Sequence, residues 1–213
     1  MTKLKMASES DLCCSRKRDS IQDGIPVEKK AKPDYRWNMK LYSATQDPKL
    51  IVDDSDERVV VIKDLYPKAK HHYLVIPKAN KPNLKDLGAE DIELLKHMKD
   101  VGKSLIAKKK DEAPEQVEFR MGYHAVPSMQ QVHMHVISQD FDAPCLKNKK
   151  HWNSFTSAFF LEVDWVIGEL ESKGCIRIDK ARYEAMLKEP LKCHVCGAAQ
   201  TNMPKLKAHV KQH

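Results

Sequence analysis

The 213-residue sequence predicts an α+β fold, an antiparallel sheet with packed helices, followed by a small cysteine- and histidine-bearing module. Three stretches carry that expectation. Gln131-Val132-His133-Met134-His135-Val136-Ile137 alternates polar and apolar side chains, the period of a half-buried strand. From Leu84 to about Lys110, Leu87, Ile92, Leu95, Met98, Val101, Leu105 and Ile106 form an apolar stripe at roughly helical spacing. Near the C-terminus Cys193 and Cys196 are followed by His209 and, four positions on, His213, a tetrahedral metal-ligand spacing.

The remaining elements follow in chain order. Residues 1–34 are polar, charged and poor in large apolar groups, the composition of a disordered tail. Lys17-Arg18 and Lys29-Lys30-Ala31-Lys32 within it resemble a bipartite nuclear-import signal, so a nuclear location is expected. A short helix is expected from Tyr35 to about Ala44, carrying Trp37. Val59 to Ile62 and Tyr73 to Ile76 are β-branched or apolar runs bounded by turn residues, hence strands, and Val117 to Tyr123 is a third. The histidine stretch is the fourth. Leu161 to Ser172 reads as a helix stopped by Lys173-Gly174. The domains expected are the tail 1–34, a sheet domain 35–148, a helical connector 149–190 and the metal module 191–213.

The net charge of +7 suits a polyanionic partner such as nucleic acid. Six cysteines, two of them in the ligand pattern and the rest scattered, fit a reducing compartment rather than a disulfide framework. No apolar run approaches a membrane span, and no membrane partner is expected.

Two imidazoles on one strand face favour chemistry over packing. A metal site wants a third ligand nearby; a phosphate site wants hydroxyls, basic groups and N–H donors, and His124, Ser128 and Met129 stand just upstream. Gln131-Val132-His133-Met134-His135 resembles the histidine-triad (HIT) signature. The wider run from Gly122-Tyr123-His124 through Gln139-Asp140-Phe141 to Lys149-Lys150-His151-Trp152 resembles its DNA-adenylate hydrolase branch. The resemblance implies a HIT-like sheet in which His133 is the nucleophile toward a nucleotide α-phosphate and His135 occupies the third position. Position 131, normally the first histidine, is Gln131. By the same resemblance His124 protonates or stabilises the leaving phosphate, and Ser128, the Met129 N–H and Lys150 hold phosphoryl oxygens. Asp64 bonds the ribose, while Ile62 and Leu65 hold adenine. Alone, Asp64 reads equally as a turn carboxylate. Lys68, Lys70 and His72 reach phosphate or steady their loop. Trp37 is either core or a wedge against a DNA end.

Basic residues beside an aromatic, in Lys147, Lys149, His151 and Trp152, suit a DNA backbone with an exposed base. Lys205 and Lys207 on the expected C-terminal helix extend that surface, unless the module is a structural clamp. Cys193, Cys196, His209 and His213 imply structural Zn2+, and the chemistry itself is expected to need no cofactor. The partners implied are DNA with 5′-adenylated nicks or breaks, with AMP as product. The branch's vertebrate members usually carry a forkhead-associated module; nothing in this chain corresponds to it, so a short form is expected. The alternatives are a HIT hydrolase of small adenine nucleotides, and a DNA-end-binding protein weakened by Gln131.

Overall fold

A computed structural model describes residues 35–112 and 117–213, except for the side chains of 35–40. The tail expected at 1–34, with its import-like clusters, lies outside the described residues. The described residues form one compact unit.

The chain runs α1 (Tyr35–Gln46), β1 (Ile51–Asp53), β2 (Val59–Lys63), β3 (His72–Pro77), α2 (Ile92–Glu112), β4 (Phe119–His124) and β5 (Met134–Ser138). It continues through α3 (Lys149–Thr156), β6 (Phe160–Glu162), α4 (Val163–Lys173), α5 (Lys180–Met186) and α6 (Met203–Val210). The six strands lie in the order β1-β2-β3-β5-β4-β6, and every neighbouring pair is antiparallel. Sequence pattern anticipates the four inner strands. The edge strands β1 and β6 have three residues each, too few to show a period of two.

Two other expectations are corrected. The helix expected from Leu84 begins only at Ile92; two 3₁₀ turns, Leu84–Asp86 and Ala89–Asp91, precede it. Leu84 and Leu87 are buried all the same, which is why the apolar stripe ran past the true start. The basic segment after Lys147, expected within a helical connector, contains the helix α3, capped by Asn148 Oδ1 accepting from the His151 N–H at 2.9 Å. The histidine strand begins at Met134 rather than Gln131. The stop expected at Gly174 is present, with φ 67° in the left-handed region.

One sheet face, with Val59, Val61, Tyr73, Val75, Met134 and Val136, packs on Leu95, Met98 and Leu105 of α2 and Val166 and Leu170 of α4. The opposite face is divided. Val60, Ile62, Leu74 and Ile76 pack under Leu41 of α1. Ile137 and Phe160 pack with Trp152 and Phe155 of α3 and with Leu191, Cys193 and Leu206 of the C-terminal module. Where the two clusters meet the face turns polar. His135 lies across from Leu74 on β3 and Gly122 on β4, and His72 lies across from Ile137.

Candidate active site and zinc site

Strand alternation gathers His72, His135 and His124 on this divided face, from three adjacent strands. The ring centroids of His124 and His135 are 4.4 Å apart, those of His133 and His135 5.1 Å, and those of His72 and His135 5.2 Å. Phe155 closes the back, with its ring edge-on to His72 and His135 and 4.6 Å from His124.

Hydrogen bonds fix the tautomers. The Lys68 backbone N–H donates to His72 Nδ1 at 3.1 Å, so the His72 proton resides on Nε2. That Nε2 lies 3.0 Å from His135 Nδ1 and 3.5 Å from Asp64 Oδ2. His135 Nδ1 therefore accepts, and its own proton sits on Nε2, an enclosed atom with no partner among the described residues. A buried donor left unmated in this way is a ready site for an anionic oxygen. His133 is set differently. Its Nδ1 lies 2.8 Å from the Gln131 carbonyl oxygen, which only accepts, so Nδ1 carries the proton and Nε2 keeps its lone pair. One backbone donor and one backbone acceptor thus make one imidazole a donor and its neighbour a nucleophile.

Asp64, His72 and His135 each bring one ligand atom within 4.8 Å of the others, a spacing a metal ion could use. The Lys68 N–H argues for a proton instead. It keeps Nε2 of His72 protonated, whereas a metal would need a lone pair there.

Burial of the His72 ring pushes its pKa down to about 4, although the Asp64 carboxylate pulls the other way. Burial likewise lowers His133, and holds His124 and His135 well below the ordinary range. These groups stay neutral in the folded chain while the unfolded chain takes up protons below about pH 6.5. The folded state therefore binds fewer protons in acid, and stability present above pH 6.5 is lost as pH falls toward 4, at about 1.4 kcal/mol per pKa unit. We expect the midpoint of thermal unfolding to fall steeply between pH 6.5 and 5; calorimetry across that range checks it, and a flat midpoint would contradict it.

Gln131 departs from its expected place in the histidine row. Its φ is 82°, in the left-handed region, which costs a non-glycine residue on the order of 1–3 kcal/mol. The turn aims its carbonyl at His133 and swings its side chain away. Nε2 donates to the Pro77 and Ala79 carbonyls, both at 2.8 Å, and Oε1 accepts from the Lys81 N–H at 3.1 Å. Gln131 is a clamp on the 77–81 loop, a role invisible to an alternating pattern.

The other expected residues differ in where they lie. Asp64 and Lys68 border the site: Asp64 Oδ1 accepts from the Tyr66 N–H at 2.7 Å, and Lys68 is half-buried, with Nζ bonded to the Tyr66 carbonyl. Leu65 is 57 % exposed, but Ile62 is packed in the α1 cluster, so of the pair only Leu65 is open to a base. Ser128 is exposed and Met129 packs against the α1 cluster. Lys147, Lys149 and Lys150 are exposed at the start of α3 beside the partly exposed His151. Trp37 lies on α1 with its side chain outside the described residues. Trp152 is corrected outright. It is 1 % exposed, its Nε1 donates to the Lys192 carbonyl at 2.9 Å, and no base can stack on it. Lys205 is exposed, but Lys207 is spent internally, donating to the Ala143 carbonyl at 2.8 Å. The residue underrated in sequence is His72; a histidine at the start of an apolar strand gave no sign of its partner 63 positions on.

In the C-terminal module Cys193, Cys196, His209 and His213 each offer an atom within 4.8 Å of the others. Cys196 Sγ lies 3.1 Å and His213 Nε2 3.3 Å from His209 Nε2, close to the edges of about 3.3–3.6 Å that tetrahedral Zn–S and Zn–N bonds would span. Gly197, with φ 73°, turns the knuckle as its N–H donates to the Cys193 carbonyl at 2.9 Å. The donor set and the turn fit Zn2+.

A family described as "Scavenger mRNA decapping enzyme C-term binding" matches residues 36–151, and a "C2HE / C2H2 / C2HC zinc-binding finger" family matches 156–213. The fold and site therefore define a histidine-triad domain joined to a zinc finger. Aprataxin of Danio rerio is 52 % identical over 177 residues, covering 83 % of this chain and 53 % of that protein; aprataxin of Ciona intestinalis is 47 % identical, covering 92 % and 49 %. The crystal structure of the aprataxin ortholog Hnt3 in complex with DNA superposes with a TM-score of 0.64 at 27 % identity, covering 84 % of this chain and 94 % of that one. The chain belongs to the aprataxin family. It spans about half the length of those two curated relatives.

Proposed function

We propose that this chain is a nucleotide hydrolase acting on DNA, which removes AMP from 5′-adenylated ends and leaves a 5′-phosphate. The observation that carries the reading is the pair of opposed tautomers, a lone pair on His133 Nε2 beside an unpartnered donor on His135 Nε2. His133 Nε2 attacks the AMP phosphorus, a P–N bond forms, and the P–O bond to the DNA phosphate breaks. The electron pair leaves with that oxygen as a phosphate, whose charge the neutral His124 stabilises. Water then attacks the phosphorus and the P–N bond breaks, freeing AMP and neutral His133. His135 Nε2–H and the Lys68 ammonium stabilise the phosphoryl charge, with the exposed Ser128 hydroxyl and Lys150 as further donors. Asp64 and Leu65 receive ribose and base. Lys147, Lys149 and Lys205 track the DNA backbone, and the chain acts in the nucleus. When bound, zinc supplies a structural cross-link to the finger and takes no part in phosphoryl transfer.

The test is AMP release from a 5′-adenylated nicked duplex by the purified chain. Release there, at well above the rate on an adenosine phosphoramidate, supports the reading. Turnover of the small substrate alone points to a general HIT hydrolase, and DNA binding without turnover of either to an end-binding protein.

Gln131 bears on that last outcome. Its amide already makes three bonds to the 77–81 loop, and its carbonyl orients His133. We therefore expect the native chain to be active and Gln131→His to change the single-turnover rate only a few-fold. Gln131→Ala, which releases the loop, should lower it about tenfold. Single-turnover release from all three forms between pH 5 and 8 decides it; strong activation by Gln131→His would show that charge, not clamping, is the requirement.

A further inference from the structure

The finger is fastened to the sheet domain by more than its chain connection. His194, inside the Cys193–Cys196 knuckle yet outside the ligand set, sits in a slot between Phe141 and Trp152, with ring centroids 5.0 and 5.4 Å away. Its Nε2 lies 3.1 Å from the Gln139 carbonyl, one residue past β5. Trp152 bonds the Lys192 carbonyl, Lys207 bonds the Ala143 carbonyl, and Lys211 pairs with Asp142 at 3.2 Å. None of these contacts requires DNA.

What they hold is α3. Trp152 and Phe155 are three positions apart on that helix, hence near one side of it. Trp152 takes the finger, while Phe155 takes His72, His124 and His135. The same buried cluster contains Leu191, Cys193 and Leu206 of the finger and Ile137 of the catalytic strand. Close-packed interiors transmit displacement rather than absorb it. We propose that the zinc finger is a positioning element for the catalytic histidines, with His194 and Trp152 fixing α3 and α3 fixing Phe155 against the imidazoles. This rests on reading those histidines as the catalytic set, and gives the finger a task that DNA affinity does not include.

The test uses the full zinc-loaded chain with isotope-labelled histidines. It compares native protein, His194→Ala, Trp152→Phe and, as a control, the exposed knuckle variant Val195→Ala. Zinc content, histidine ring resonances and steady-state turnover of an adenosine phosphoramidate and of a 5′-adenylated nicked duplex are measured for each. His194→Ala keeps one zinc per chain, since no ligand is removed. Its His72, His124 and His135 resonances shift, and kcat on the small substrate falls about tenfold with KM nearly unchanged, the signature of misplaced groups rather than lost binding. Trp152→Phe moves the same resonances in a smaller measure, and Val195→Ala moves none. Zinc-replete His194→Ala and Trp152→Phe proteins with native resonances and native kcat, impaired only in KM for nicked DNA, would overturn the proposal. Shifted resonances in a chain that in native form hydrolyses neither substrate would leave the coupling standing and remove the hydrolase reading instead.

Discussion

On the proposed function, His133→Ala is expected to lower AMP release from a 5′-adenylated nick by about 10³-fold or more, while DNA affinity stays within a few-fold of native. The size follows from removing a covalent nucleophile, whose partners cannot substitute for it. His135 is nearest, but the chain of bonds from the Lys68 N–H through His72 leaves its outward nitrogen protonated. His133, by contrast, has its inner nitrogen tied to a carbonyl and a lone pair opposite. Because burial lowers its pKa, that lone pair persists below pH 6.5, so native single-turnover activity should extend into mild acid before falling. Rapid-quench measurement with labelled AMP checks both statements. The native chain should show a burst of protein-bound label that the alanine variant lacks. Turnover near the native level in His133→Ala would move the nucleophile elsewhere in the cluster.

How much of this was legible beforehand divides along physical lines. Alternation in residues 131–137 predicts His133 and His135 on one face, and their rings do lie 5.1 Å apart although the strand itself begins only at Met134. The spacing of Cys193, Cys196, His209 and His213 fixed a ligand set because a knuckle and a helical i, i+4 pair have fixed reach. Gln131 escaped the same logic. A single left-handed φ turned its amide onto a loop 50 positions earlier, and one-dimensional periodicity carries no trace of that. Trp152 failed for a related reason. An aromatic among lysines is as consistent with a base-stacking surface as with a buried anchor, and only the long-range bond to Lys192 separates the two. The edge strands, at three residues each, were below the length at which any pattern shows. Local rules thus supplied the site's residue types, and contacts between distant segments supplied their roles.

The largest consequence of such a distant contact concerns His72. Replacing it with leucine, close in size and buried easily at a position 3 % exposed, keeps the packing against Phe155 but deletes the donor to His135 Nδ1. His135 is then free to hold its proton on Nδ1 and present a lone pair, rather than an N–H, to the phosphoryl oxygens. A donor becomes a repulsive acceptor, and loss of one preorganised donor of this kind costs about 10²- to 10³-fold in rate. The Lys68 N–H loses its acceptor as well, which loosens the loop bearing Asp64 and Lys68. We therefore expect His72→Leu to lower the single-turnover rate by about 10²- to 10³-fold, with protein-bound AMP still detectable because His133 is intact. The variant should also resist acid better than the native chain, since it no longer buries a group whose pKa is held near 4. Rapid-quench kinetics and calorimetry at pH 7 and 5 read the two effects separately. A His72→Leu chain with native rate would show that the proton chain orders nothing that matters. One with the expected rate loss but no gain in acid tolerance would show that burial does not lower the His72 pKa.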